Sequence, residues 1–149
     1  MRIPILDEDE FASWSLSIRG GAEMLIADEN PATLEFFSRL FEDRGFTTLT
    51  ADSGESALQS INQHTIGVIL LGDLMKPPID GLDLIRRLRA YHIPVVVATS
   101  YGADYTLLAK MAGAEIVIHK FADPTYLITT IERALQEQSF PPILKAPPE

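Results

Sequence analysis

Residues 66–71 read Ile-Gly-Val-Ile-Leu-Leu, and residues 94–98 read Pro-Val-Val-Val-Ala. Runs this short and this evenly apolar leave no face for water, so each fits a strand buried on both sides. A strand buried on both sides needs helices above and below its sheet. That requirement narrows the architecture before any other residue is considered.

The intervening segments supply the helices. After the short apolar run Met24–Ala27, Asn30-Pro31 offers a helix cap followed by a proline at the first helical position. Leu34, Phe37, Leu40 and Phe41 then recur at helical spacing up to Gly45. Residues 46–50 are rich in β-formers, and Ser53 caps a second helix carrying Ala57, Leu58 and Ile61. A loop with Pro77-Pro78 and Asp80-Gly81 precedes a third helix with Leu82, Ile85 and Leu88. Residues 106–112 read as a short helix ended by Gly113, and residues 115–119 as a fifth strand. Asp123-Pro124 repeats the cap-plus-proline signal before a last helix with Leu127, Ile128, Ile131 and Leu135. Five strands, each followed by a helix, predict an α/β three-layer (βα)5 sandwich around a parallel sheet.

The ends differ from this core, so the expected division is an N-terminal extension (1–22), one domain (23–138) and a proline-rich tail (139–149). The extension carries the acidic run Asp7–Glu10, an alternating segment around Trp14, and the joint Gly20-Gly21. It reads as a loose arm or as an added strand.

The 149 residues suffice for one domain with its own core. The absence of cysteine excludes disulfides, zinc ribbons and thiol catalysis together. A net charge of −9 argues against broad binding to nucleic acid or anionic membrane. No run approaches the roughly 20 apolar residues of a membrane-spanning helix, and the acidic run falls where a secretory signal would place its apolar core. A cytoplasmic location is the expectation. Arg86-Arg87-Leu88-Arg89 reads as a solvated helix face, and the three histidines lie too far apart in sequence to suggest a metal site. There is no Walker loop, no GxGxxG and no G-x-S-x-G elbow.

In an open parallel sheet, chemistry collects beyond the carboxyl ends of the strands. Those ends carry Asp28-Glu29, Gly72-Asp73, Thr99-Ser100 and His119-Lys120. Three carboxylates close together repel unless a cation joins them. Oxygen-only ligands suit a hard ion such as Mg²⁺. A carboxylate can also capture a phosphoryl group as an acyl phosphate, with Lys120 and the Thr99 hydroxyl neutralising charge on the transferring group. Ser100 reads only as a small residue that leaves the pocket open.

These segments resemble the receiver (CheY-like) domain of two-component response regulators. The matching pieces are residues 25–30 (Leu-Ile-Ala-Asp-Glu-Asn), 69–81 (Ile-Leu-Leu-Gly-Asp-Leu-Met-Lys-Pro-Pro-Ile-Asp-Gly), 94–100, and Gly113-Ala114 leading to Lys120. The resemblance implies the flavodoxin-like strand order 2-1-3-4-5. It also implies that Asp73 accepts phosphate from a sensor histidine kinase or phosphotransfer protein, and that Asp28, Glu29, Asp73 and the Met75 carbonyl hold Mg²⁺. Thr99 would be the switch hydroxyl and Lys120 the phosphoryl partner, while Met75 and Tyr101 fall where the family tunes the lifetime of the phosphorylated form. Such a domain is a signalling phosphoacceptor rather than an enzyme. With no room for a fused output after residue 138, its output would be a protein–protein contact, and self-association as a homodimer is a further possibility of the fold.

Four positions depart from the family pattern. Glu29 stands where aspartate is commoner, and Pro78 replaces a small residue. Val117 occupies the place of a switch tyrosine or phenylalanine, so the usual aromatic rotation is unavailable. Phe121 follows Lys120 where the family has a proline, typically with a cis bond. A non-proline cis bond costs about 2.5–4 kcal/mol, so this loop is expected to be rebuilt and Lys120 placed differently. These departures motivate a second reading, a receiver-like interaction module that works without phosphorylation. A flavodoxin-like cofactor binder shares the topology but lacks the phosphate-loop residues.

Overall fold

The computed structural model describes residues 23–139; the readings made for 1–22 and 140–149 lie outside it. Five parallel strands form one sheet: β1 (Glu23–Ala27), β2 (Thr48–Ala51), β3 (Ile66–Leu71), β4 (Val95–Thr99) and β5 (Ile116–His119). Their order is β2-β1-β3-β4-β5. Chain order therefore reverses between β1 and β3, and the crevice at that switch point is where an open sheet binds ligands.

Alternate residues of each strand face opposite layers. Met24, Ile26, Val68, Leu70, Val96 and Ala98 join Phe37 and Phe41 of α1 (Pro31–Glu42) and Leu127 and Ile131 of α5 (Pro124–Ser139) in one buried cluster. Leu25, Ala27, Ile69, Leu71, Val95 and Val97 join residues of α2 (Gly54–Gln63), α3 (Gly81–Leu88) and α4 (Ala103–Ala112) in the other. Every residue of β3 and β4 is buried, as their unbroken apolar runs require.

The helix starts follow the capping residues. Asn30 accepts a hydrogen bond from the Ala32 N–H (2.9 Å), Asp123 from that of Thr125 (2.8 Å), and Ser53 and Asp80 each form a capping box. Gly113, at φ 128°, ends α4 in a conformation that a side chain would strain.

Two element starts and one buried face differ from the sequence expectation. β2 starts at Thr48 rather than Phe46, because the Phe46 ring is buried edge-on against Phe41 (5.5 Å between centroids) instead of lying in the sheet. α4 starts at Ala103 rather than Thr106, because its cap is Gly102, which has no side chain to announce it. In α3 the fully buried positions are Leu84, Ile85 and Leu88, with Leu82 only partly covered. No helix of the described residues is long and apolar enough to cross a membrane.

Candidate functional site

The sheet registers bring four strand ends to one edge. Ala27 pairs with Leu71, Leu71 with Val97, and Thr99 with His119. The residues just past those ends, or at them, are Asp28, Gly72-Asp73, Thr99-Ser100 and Lys120. The Gly72 N–H donates to the Ala27 carbonyl (2.7 Å), and the Glu29 N–H donates to the Asp73 carbonyl (3.2 Å). The loops after β1 and β3 are thus tied together by backbone at the switch point.

Asp73 is the centre of the constellation. Its Oδ1 accepts from the Thr99 hydroxyl (2.7 Å). Its Oδ2 accepts from the Ser100 hydroxyl (2.6 Å) and the Ser100 N–H (3.2 Å), and Lys120 Nζ stands 3.4 Å away. Burial alone would raise its pKa. The Ser100 and Thr99 hydrogen bonds and the Lys120 charge outweigh that, so the carboxyl is held below its ordinary value. Asp73 is an anion at neutral pH, already surrounded by donors.

Asp28 is nearly inaccessible, at 1% exposure. Its Oδ1 accepts from the Asn30 N–H (2.8 Å) and its Oδ2 from the Asp73 N–H (2.9 Å). Lys120 Nζ lies 2.7 Å from the same Oδ2. Burial alone would lower the Lys120 pKa, but Asp28 and Asp73 hold it above the ordinary value. Gly72 is required here because a Cβ at that position would collide with the Asp28 carboxylate.

The expectation for Lys120 needs correction. Among the described residues the cis peptide bond is Pro77–Pro78, so Lys120–Phe121 is trans. Lys120 still points into the site, its side chain 7% exposed. The Lys120 N–H donates to the Thr99 carbonyl (2.8 Å), which fixes the backbone before the departing residue is reached. His119 is exposed, and its Nδ1 accepts from the Phe121 N–H (3.1 Å).

Ser100 was expected only to leave space, yet it supplies two of the hydrogen bonds to Asp73. Its hydroxyl beside the Thr99 hydroxyl was the available signal. Glu29 also behaves differently from a plain third acid. Its longer side chain reaches the loop after β3, where one oxygen, Oε2, accepts from the N–H groups of Met75 and Lys76 (both 2.7 Å). Among the described residues no three acidic or histidine side chains form a metal-binding cluster. Asp28 and Asp73 converge while Glu29 braces the loop. The donor chemistry nevertheless fits a hard cation. Two buried carboxylates share a single ammonium, and their oxygens are hard donors.

Residues 24–132 match the model of the response regulator receiver domain. The chain belongs to the receiver family of two-component response regulators. This receiver is 30% identical over 115 residues to response regulator GtcR of Aneurinibacillus migulanus, covering 76% of this chain and 47% of the relative. It is 30% identical over 122 residues to a homologue of the transcriptional regulatory protein CpxR from Haemophilus influenzae, covering 80% and 53%. The chain spans about half the length of these curated relatives. Among solved structures it resembles the receiver domain of NtrX from Brucella abortus at a TM-score of 0.71, 28% identity, and coverage of 76% of this chain and 98% of that one. A receiver domain from Clostridium thermocellum superposes at a TM-score of 0.70 with 26% identity, covering 78% and 96%. The strand order and five-helix arrangement of this signalling domain are those of the CheY-like fold.

Proposed function

We propose that Asp73 accepts a phosphoryl group from a phosphohistidine of a sensor kinase or phosphotransfer protein, and that the domain signals through protein contacts. The observation that carries this reading is the convergence of Thr99, Ser100 and Lys120 on one buried carboxylate. An Asp73 oxygen attacks phosphorus, and the bond from phosphorus to the donor imidazole nitrogen breaks, leaving an acyl phosphate on Asp73 and a free histidine on the donor. The nucleophile is already ionised, so no proton has to be removed from it. Thr99, Ser100 and Lys120 are aimed where negative charge accumulates on the transferring group.

Asp28, Glu29, Asp73 and the Met75 carbonyl are the groups that would hold Mg²⁺, which would supply positive charge to the phosphoryl oxygens. Lys120 places its ammonium 2.7 Å from Asp28 and 3.4 Å from Asp73, so one positive charge serves both carboxylates. The phosphorylation-independent module is less well supported, because it predicts a lysine turned to solvent. A cytoplasmic setting, a downstream protein target and a homodimer belong to the same proposal.

Incubation with acetyl phosphate and Mg²⁺, followed by intact mass measurement, tests it. One added phosphoryl group is expected on the wild type and none on Asp73→Ala. Equal uptake by the variant would rule the assignment out.

A further inference from the structure

The signal must leave Asp73 without the aromatic residue that other receivers carry at the position of Val117. Two observations locate a substitute on α4. First, Tyr105 and Val117 pack against the same apolar cluster, which includes Leu71, Leu74 and Val97. Second, the Tyr105 hydroxyl is buried and makes no hydrogen bond among the described residues. It sits beside Gly81, where α3 begins. A Cβ built on Gly81 would come within 2.9 Å of the hydroxyl oxygen and 3.4 Å of the Leu74 carbonyl.

A continuous route also joins Asp73 to this side chain. The Thr99 hydroxyl donates to Asp73 Oδ1 (2.7 Å) and accepts from the Tyr101 N–H (3.0 Å). The Tyr101 ring then lies 5.7 Å, centre to centre, from the Tyr105 ring. The Thr99 hydroxyl thus links Asp73 to the backbone that enters α4.

We propose that Tyr105 reads the phosphorylation state of Asp73 and transmits it to α4, in place of the aromatic residue absent at position 117. The inference rests on the phosphoacceptor reading. Phosphorylation replaces one negative charge with roughly −1.5 to −2 and adds three strong acceptor oxygens. Burial, with the charges of Asp73 and Asp80 and the neighbouring Tyr101, pushes the Tyr105 pKa up to about 12. The hydroxyl therefore keeps its proton and is a donor in want of an acceptor. Such a group interacts differently with the two states of Asp73, which is what a shift of population requires. The outer face of α4 exposes Leu107, Leu108 and Met111, at 59%, 46% and 69%. Reseating Tyr105 moves that apolar face, which is the surface a target would sense.

The test is amide hydrogen exchange over residues 100–112, with and without acetyl phosphate and Mg²⁺, with phosphoryl occupancy measured on the same samples by intact mass. The wild type should change its exchange in this segment on phosphorylation. Tyr105→Phe should take up phosphate equally and melt no lower, since the deleted hydroxyl has no partner, yet lose the exchange difference. A purely structural tyrosine would not separate these readouts. A full exchange response in Tyr105→Phe, or no response in phosphorylated wild type, overturns the inference and leaves the phosphoacceptor reading standing. A wild type that takes up no phosphate removes that reading and the inference with it.

Discussion

Lys120 binds Asp28 more closely than Asp73, at 2.7 Å against 3.4 Å. The ammonium thus rests on the carboxylate that is not the nucleophile and bridges to the one that is. It shares one positive charge between two acids whose side chains are almost wholly buried, a placement that would be costly for either acid alone.

Replacing Lys120 with methionine keeps the apolar stem and removes the charge. Two buried carboxylates then face each other without a counter-ion. Lys120→Met is expected to lose about 3 kcal/mol of stability, in the range for breaking a buried pair. Magnesium should restore part of it, giving a larger rise in melting temperature on adding Mg²⁺ than the wild type shows. Thermal melts of both proteins with Mg²⁺ and with a chelator check this.

Two of the three displaced groups, Asp73 and Lys120, link the site itself to pH. Asp73 titrates below its ordinary value of 3.8, so its contribution is present above that pH and is lost as pH falls through the depressed folded value. Lys120 titrates above 10.5, so its contribution is present below that pH and is lost as pH rises through the raised folded value. Ser100→Ala deletes the hydrogen bond that most favours ionised Asp73. The carboxyl pKa of Asp73 should rise, moving the acid limb of stability to higher pH. Carbon NMR titration of Asp73 and denaturant unfolding across the acid range measure both effects.

Gly72→Ala introduces a methyl group where the Asp28 carboxylate lies. Asp28 cannot swing aside without losing the N–H groups of Asn30 and Asp73 and the Lys120 ammonium. The substitution should cost about 1–3 kcal/mol, the usual penalty of overpacking. Phosphoryl uptake should slow as well. Urea midpoints and uptake time courses from acetyl phosphate provide the two measurements.

The most legible parts of the sequence were those governed by continuous burial. β3 and β4 declare themselves because every position is covered. β2 does not, because Phe46 contributes to the core from outside the sheet and blurs the strand start. The meeting of Asp28, Asp73, Thr99 and Lys120 follows from strand ends that share an edge, so topology suffices to foresee it. The roles of Ser100 and Glu29 depend on rotamers and loop path, which no spacing encodes. The trans bond at Phe121 could have displaced Lys120. A backbone hydrogen bond to Thr99, invisible in the sequence, holds the lysine in place.

Asp73, and not a neighbouring hydroxyl, is expected to carry the phosphoryl group. After reaction with acetyl phosphate and Mg²⁺, brief treatment with hydroxylamine followed by peptide mass mapping distinguishes them. An acyl phosphate on Asp73 releases phosphate and leaves a hydroxamate at residue 73. A hydroxylamine-stable phosphate mapped to Thr99 or Ser100, with residue 73 unchanged, would place the phosphoacceptor on a hydroxyl instead.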